Sequence, residues 1–157
     1  MKNCKSLIYV GLLVLLLGGL VLPAALPAGE KPAELSEYDN PFTWVTIGKV
    51  KVQAEVVKSM EKVYLGLGKR PELPEGRGML FVMPSPAVQN FCMRDMRFAL
   101  DFIWIESGRV AGMTKNVSHQ DQQACYYSPK PVTFVLEVPA GFCDRHGLQV
   151  GDKATWK

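Results

Sequence analysis

The chain has 157 residues, 48% hydrophobic and 21% charged, with a formal net charge of +3. That length suits one folded domain of ordinary size, and the composition excludes a disordered polar chain. Removing the first 28 residues leaves 16 basic against 15 acidic residues, a near-neutral balance that offers no electrostatic footprint for nucleic acid.

Leu7 to Leu22 is an uncharged, leucine-rich run, preceded by Lys2 and Lys5. A positive flank before an apolar stretch is the pattern of an export signal, and the positive-inside rule sends the rest of the chain across the membrane. The run is 16 residues to Leu22 and 22 if extended through Pro23 and Pro27 to Ala28. It falls between the about 7–15 residues of a signal core and the about 20 of a spanning helix. Residues 1–28 therefore read as a signal peptide or an uncleaved anchor in the cytoplasmic membrane. Cys4 precedes the apolar run, which opposes lipoprotein processing. The expected location is exported, periplasmic or extracytoplasmic.

Residues 29–41 are polar, contain Pro32 and Pro41, and read as a linker. The domain is expected over residues 42–157. Trp44–Ile47 and Val50–Val57 look like strands around Gly48-Lys49, with Val50, Val52, Ala54 and Val56 on one face. Ser59 suits a helix N-cap, and Met60, Val63, Tyr64 and Leu67 have the spacing of one buried helical stripe. Gly78–Val82 reads as a buried strand and Pro84-Ser85-Pro86 as a turn. Asn90–Met93, Leu100–Ile105 and Arg109–Met113 read as further strands, the last two joined at Ser107-Gly108. Thr114–Pro131 is a long polar loop. Thr133–Val138 is a strand, Phe142–His146 a helical turn, and a last strand ends at Trp156. The expectation is a mainly β domain, barrel-like or sandwich-like, with one or two short helices.

Several blocks, in order, resemble the domain-of-unknown-function 192 family. They are Gly66-Leu67, Gly78-Met79-Leu80-Phe81, Phe91-Cys92-Met93-Arg94-Asp95 and Leu100-Asp101-Phe102-Ile103, followed by Tyr127, Leu136 to Gly141, Gly147-Leu148 and Gly151-Asp152. The resemblance covers Trp44 to Trp156. It implies a compact β-rich domain, often exported, and no established reaction. The family usually carries Trp at Cys92, Lys at Arg94, Asn at Asp95, Thr at Met96 and Met at Gly68, so this segment differs where a family loop would bind.

Asp101 stands in an apolar run, where a charge is costly unless paired or hydrogen-bonded. It reads as a positioned carboxylate at a ligand pocket, or as a structural one that pairs with Arg94 or Arg97 or caps loop amides. Glu137 has the same two readings, and together the two acids could serve as acid and base. Cys92, Cys125 and Cys143 lie in the exported part, where an oxidising compartment favours one disulfide, Cys92–Cys125, or three buried thiols. With His146 they could form a scattered zinc set, but no Cys-x-x-Cys pair supports one; no metal and no cofactor is expected.

The candidate ligand site is where Phe91–Asp101 meets the Thr114–Pro131 loop, with Met93, Arg94, Asp95, Asp101 and Tyr127 as binding residues. The leading functional reading is a non-catalytic binding or accessory module of the cell envelope, its partner a polysaccharide or another protein. Alternatives are a small hydrolase-like enzyme using Asp101 and Glu137 with Arg94, and a structural assembly partner.

Overall fold

The computed structural model describes residues 34–157, and the hydrophobic segment expected as signal or anchor lies outside them. Among the described residues no helix is long and apolar enough to cross a membrane.

The chain order is β1 (Phe42–Ile47), β2 (Val50–Val57), α1 (Met60–Leu65), β3 (Arg77–Ala87), β4 (Asn90–Cys92), β5 (Leu100–Glu106), β6 (Arg109–Val117), β7 (Cys125–Tyr127), β8 (Val132–Pro139), α2 (Phe142–Arg145) and β9 (Ala154–Thr155). Seven strands form one sheet in the order β6-β5-β8-β3-β2-β1-β9, and β4 and β7 form a separate pair. Only β2 and β3 run parallel, which requires a crossover; α1 and the loop after it supply it. The sheet curls into a half-barrel. Its two edge regions approach each other through an Arg109–Lys153 bridge and an Ala154 N–H donated to the Gly108 carbonyl at 2.8 Å. Such curling protects edges that would otherwise invite pairing with another chain.

Strand alternation places an apolar core on each face. Val52, Ala54, Leu80, Ile103, Ile105, Leu136 and Val138 fill one side, closed by Phe142 and Cys143 of α2. Val57, Met79, Phe81, Phe102, Trp104 and Val135 fill the other. Over that second face the β4–β7 pair packs through Phe91 and Tyr126. Phe91 meets Phe81 edge-on at 4.8 Å and Trp104 at 5.7 Å, and Tyr126 meets Phe102 at 5.9 Å. Aromatic pairs at these distances favour such edge contacts, which fix the layer in one position.

The mainly β, barrel-like expectation holds, and several segments differ in detail. The Thr114–Pro131 stretch is not one loop: β6 continues to Val117, and Cys125–Tyr127 forms β7 against β4. Three residues are too short to show a period, so only the tertiary pairing reveals that strand. Pro84 and Pro86 do not turn the chain; β3 runs through them to Ala87. The β3–β8 register shifts between Val82 and Ala87, and prolines are tolerated where a bulge removes the need for a ladder N–H. Residues 34–41, expected as linker, pack on the domain. A Leu35–Pro41 bridge forms, and Ser36 and Asn40 both donate to Glu55, at 2.9 and 2.8 Å.

Ser59 caps α1 as expected, accepting from the Lys62 N–H at 3.3 Å. The expected stripe is buried only at its end: Met60 is 90% and Tyr64 72% exposed on α1, which has no buried residue, whereas Leu67, beyond the Gly66 cap, is 1% exposed in the core. Val63 packs against that core, and all four residues also border a pocket.

Gly78 marks the tightest approach of β3 to its neighbours. A Cβ there would meet the Glu137 carbonyl oxygen at 2.7 Å and a Val52 methyl at 2.9 Å. Gly78→Ala is expected to destabilise the domain by about 1–3 kcal/mol. Urea unfolding checks this as a lower midpoint with an unchanged slope.

Candidate functional site

Two carboxylates stand among apolar residues, and strand pleating separates them. Asp101 pairs across β5–β8 with Val138, and Phe102 pairs with Glu137. Neighbouring residues of a strand point to opposite faces, so Asp101 belongs to the α2 side and Glu137 to the β4–β7 side. The structure does not bring together the acid–base pair that the sequence allowed.

Asp101 is fully buried and completely occupied by backbone. Its Oδ1 accepts from the Asn116 N–H at 2.7 Å and the Gly141 N–H at 3.1 Å, and its Oδ2 accepts from the Cys143 N–H at 2.9 Å. One side chain thus holds the end of β6 and the start of α2 to β5. This is the amide-capping role, not a partnership with Arg94 or Arg97. The neighbouring Cys143 thiol is pushed up to about 12 by burial and by the Asp101 charge, so it stays protonated. His146 packs on Phe142, with ring centroids 4.3 Å apart, and its Nε2 lies 3.2 Å from Glu75. A protonated thiol and an imidazole committed to other partners do not make a nucleophile pair. Asp101→Asn is expected to leave one of the three amides without an acceptor, at a cost of about 1–3 kcal/mol. Thermal unfolding should register the loss, while ligand binding at the pocket stays intact.

Cys92 and Cys125 form a disulfide across β4–β7, directly opposite in the ladder. Two sulfurs of the conceivable zinc set are thereby bonded to each other. Among the described residues no group of three or more His, Cys, Asp or Glu side chains is placed to hold a metal ion.

On the second face Glu55, Met79, Glu137 and Phe102 lie side by side across β2, β3, β8 and β5. Glu55 is buried, and burial alone would raise its pKa. The Arg70 guanidinium, which it holds at both oxygens, together with Asn40 and Ser36, outweighs that and holds it below the ordinary range. Glu137 has no such support. It is 5% exposed, and among the described residues nothing hydrogen-bonds its carboxyl. Burial pushes its pKa from 4.5 to about 8, against a smaller opposing pull from Arg70. At neutral pH the group carries its proton and is a donor.

Glu137 lines a pocket of about 400 Å³ between α1, β3 and β4. That volume falls within the about 300–1,000 Å³ range of small-molecule sites. Met60, Val63 and Tyr64 of α1, with Leu67 just beyond it, form one wall, and Phe81, Phe91 and Met96 contribute to the rest. Arg94 and Lys58 are exposed residues of the lining. The Arg94 guanidinium lies over the Tyr64 ring, 4.0 Å from its centroid, and donates to its hydroxyl at 2.8 Å.

Of the expected binding residues, Arg94 lines this pocket and Glu137 joins it from the acid–base pair. Met93 is fully buried core. Asp95 is an exposed turn residue at φ +58°, whose carbonyl accepts from the Lys69 N–H at 2.8 Å. Asp101 is on the other face, and Tyr127 is exposed on β7, outside the pocket lining. The pocket thus lies towards α1, not at the Thr114–Pro131 loop. The sequence signal that pointed to it was the α1 stripe, whose apolar period did not say whether it faced a core or a cavity.

Glu137 makes stability depend on pH. Its folded-state pKa is raised above the unfolded value, so its contribution is fully present below about pH 4.5 and is lost as pH rises through about 8. The melting temperature is expected to fall across that window, and Glu137→Gln should flatten the fall. A pH-independent difference between the two proteins would contradict the assignment.

A curled half-barrel with an apolar, carboxyl-lined pocket beside a short helix defines a small β-rich domain. The chain belongs to the domain-of-unknown-function 192 family, described as an uncharacterised ACR, which it matches over residues 43–156. Its fold is similar to that of a protein of unknown function from Novosphingobium aromaticivorans, with 24% identity and a TM-score of 0.75 over 80% of this chain and 94% of that one. It is also similar to a protein described as a proposed transcription regulator from Sinorhizobium meliloti, with 24% identity and a TM-score of 0.69 over 78% and 97%. At this identity the likeness shows the fold alone. No curated protein matches the chain.

Proposed function

We propose that the chain is an exported or membrane-tethered module of the cell envelope that binds a small, largely apolar ligand without transforming it. The observation that carries this reading is Glu137: a carboxyl 5% exposed, without a hydrogen-bond partner among the described residues, lining an apolar pocket. Its carboxyl faces the pocket, where a ligand acceptor could take its proton in a hydrogen bond.

Three further features support the reading. The Lys2 and Lys5 flank and the Leu7–Leu22 run favour export. The Cys92–Cys125 disulfide suits an oxidising compartment. The separation of Asp101 from Glu137 leaves one carboxyl in the pocket lining, not the pair that a two-carboxylate hydrolysis uses. An apolar lining favours an apolar ligand over the polysaccharide that the sequence suggested, because a sugar needs many hydrogen-bonding groups around it.

Native mass spectrometry of the protein purified from its own envelope fraction tests the proposal. The expected result is a mass for the full chain, or for one lacking about the first 28 residues, together with a small-molecule adduct. Val63→Trp, which fills the pocket wall, is expected to abolish the adduct. Recovery of the protein only from the cytoplasm, with no adduct, would reject both parts of the proposal.

A further inference from the structure

We infer that the pocket takes an elongated anionic amphiphile, with an oxyanion at the Lys58–Arg94 mouth and a hydrogen-bond acceptor at Glu137. This deepens the reading of the pocket as a ligand site and rests on it.

The charge pattern argues for the anion. Two cations and one acid line the cavity: Lys58 and Arg94, both exposed, and the buried Glu137. No acid of the lining stands at the mouth to neutralise the two cations. Arg94 is also held in place, stacked on Tyr64 and bonded to its hydroxyl. A planar guanidinium fixed in this way presents its remaining N–H groups to a carboxylate or phosphate at reduced entropic cost.

The apolar body follows from the wall between the two ends. Met60, Val63 and Tyr64 share one face of α1, and that face lines the cavity together with Leu67 just beyond the helix. A helix whose only apolar stripe borders a cavity gains the usual burial energy once an apolar molecule fills it. The inner end follows from the floor. A purely hydrocarbon tip against Glu137 would leave its carboxyl without a partner, whereas an oxygen there would accept its proton. The Cys92–Cys125 disulfide secures the opposite wall, because Phe91 and Cys92 of β4 both line the pocket.

The test is titration calorimetry on the full chain at pH 7 with 10-hydroxydecanoate, decanoate, 1,10-decanediol and decylammonium. Binding is located in each case by the methyl resonances of Met60, Leu67 and Met96. The hydroxy acid is expected to bind tightest, about tenfold better than the diol, as one charge-assisted hydrogen bond implies. Arg94→Gln should abolish the preference for the acid over the diol. Glu137→Leu should abolish the preference for the hydroxy acid over decanoate, and Glu137→Gln, which keeps a donor, should retain it. Equal affinity for acid and diol, or tighter binding of decylammonium, would overturn the anionic assignment while leaving a ligand pocket in place. Pocket resonances that answer to none of the four probes would overturn both the assignment and the binding reading. Resonances that respond to protein concentration instead would overturn it and make a second copy of the chain the occupant.

Discussion

Strand β8 lies between β3 and β5 and is covered on both faces, and the rest of the domain is arranged around that constraint. Leu136 and Val138 look into the core closed by α2, while Val135 and Glu137 look towards the β4–β7 layer. A strand buried on both sides has no solvated face on which to place a polar residue, so every polar side chain near it needs a partner. The same constraint acts on β5, where six successive residues from Leu100 to Ile105 are buried.

The three acids of this interior meet the constraint in three ways. Asp101 spends its carboxylate on three backbone amides and thereby joins β5, β6 and α2. Glu55 spends its own on Arg70, Asn40 and Ser36, which ties the segment before β1 and the loop after α1 to the sheet. Glu137 alone is left to hold its proton. Removing a partner from either of the first two would leave a buried group unmatched and would cost stability. In the third case the carboxyl has no protein partner among the described residues and borders a cavity, which is why the proposed function centres on it.

The pocket wall shows a related economy of design. The β4–β7 pair is too short to be stable alone. It is held by the Phe91 and Tyr126 contacts with the sheet and by the disulfide between its strands. On the other side of the cavity, α1 has no buried residue and is held by its Ser59 cap, by Val63 against the core and by the Arg94 contact with Tyr64.

Much of this was legible in the residues. The alternation in Val50–Ala54, the unbroken apolar runs at Met79–Val82 and Leu100–Ile105, the Ser59 cap and the turn at Ser107-Gly108 all express short-range rules, and the structure follows them. The ordered family blocks carried the fold, and the costliness of Asp101 and Glu137 was visible from their apolar neighbours. The sequence could not say which strands neighbour one another. It therefore could not show that β7 exists, that residues 34–41 return to Glu55, or that Pro84 and Pro86 stand at a register shift. Nor could it show that Asp101 and Glu137 occupy opposite faces, since that depends on the register of β5 against β8. Composition and local period determined the elements and the polar residues that needed explanation. Tertiary pairing decided which found partners and which was left facing a cavity, because a buried carboxyl's chemistry is set by the groups that the fold brings to it.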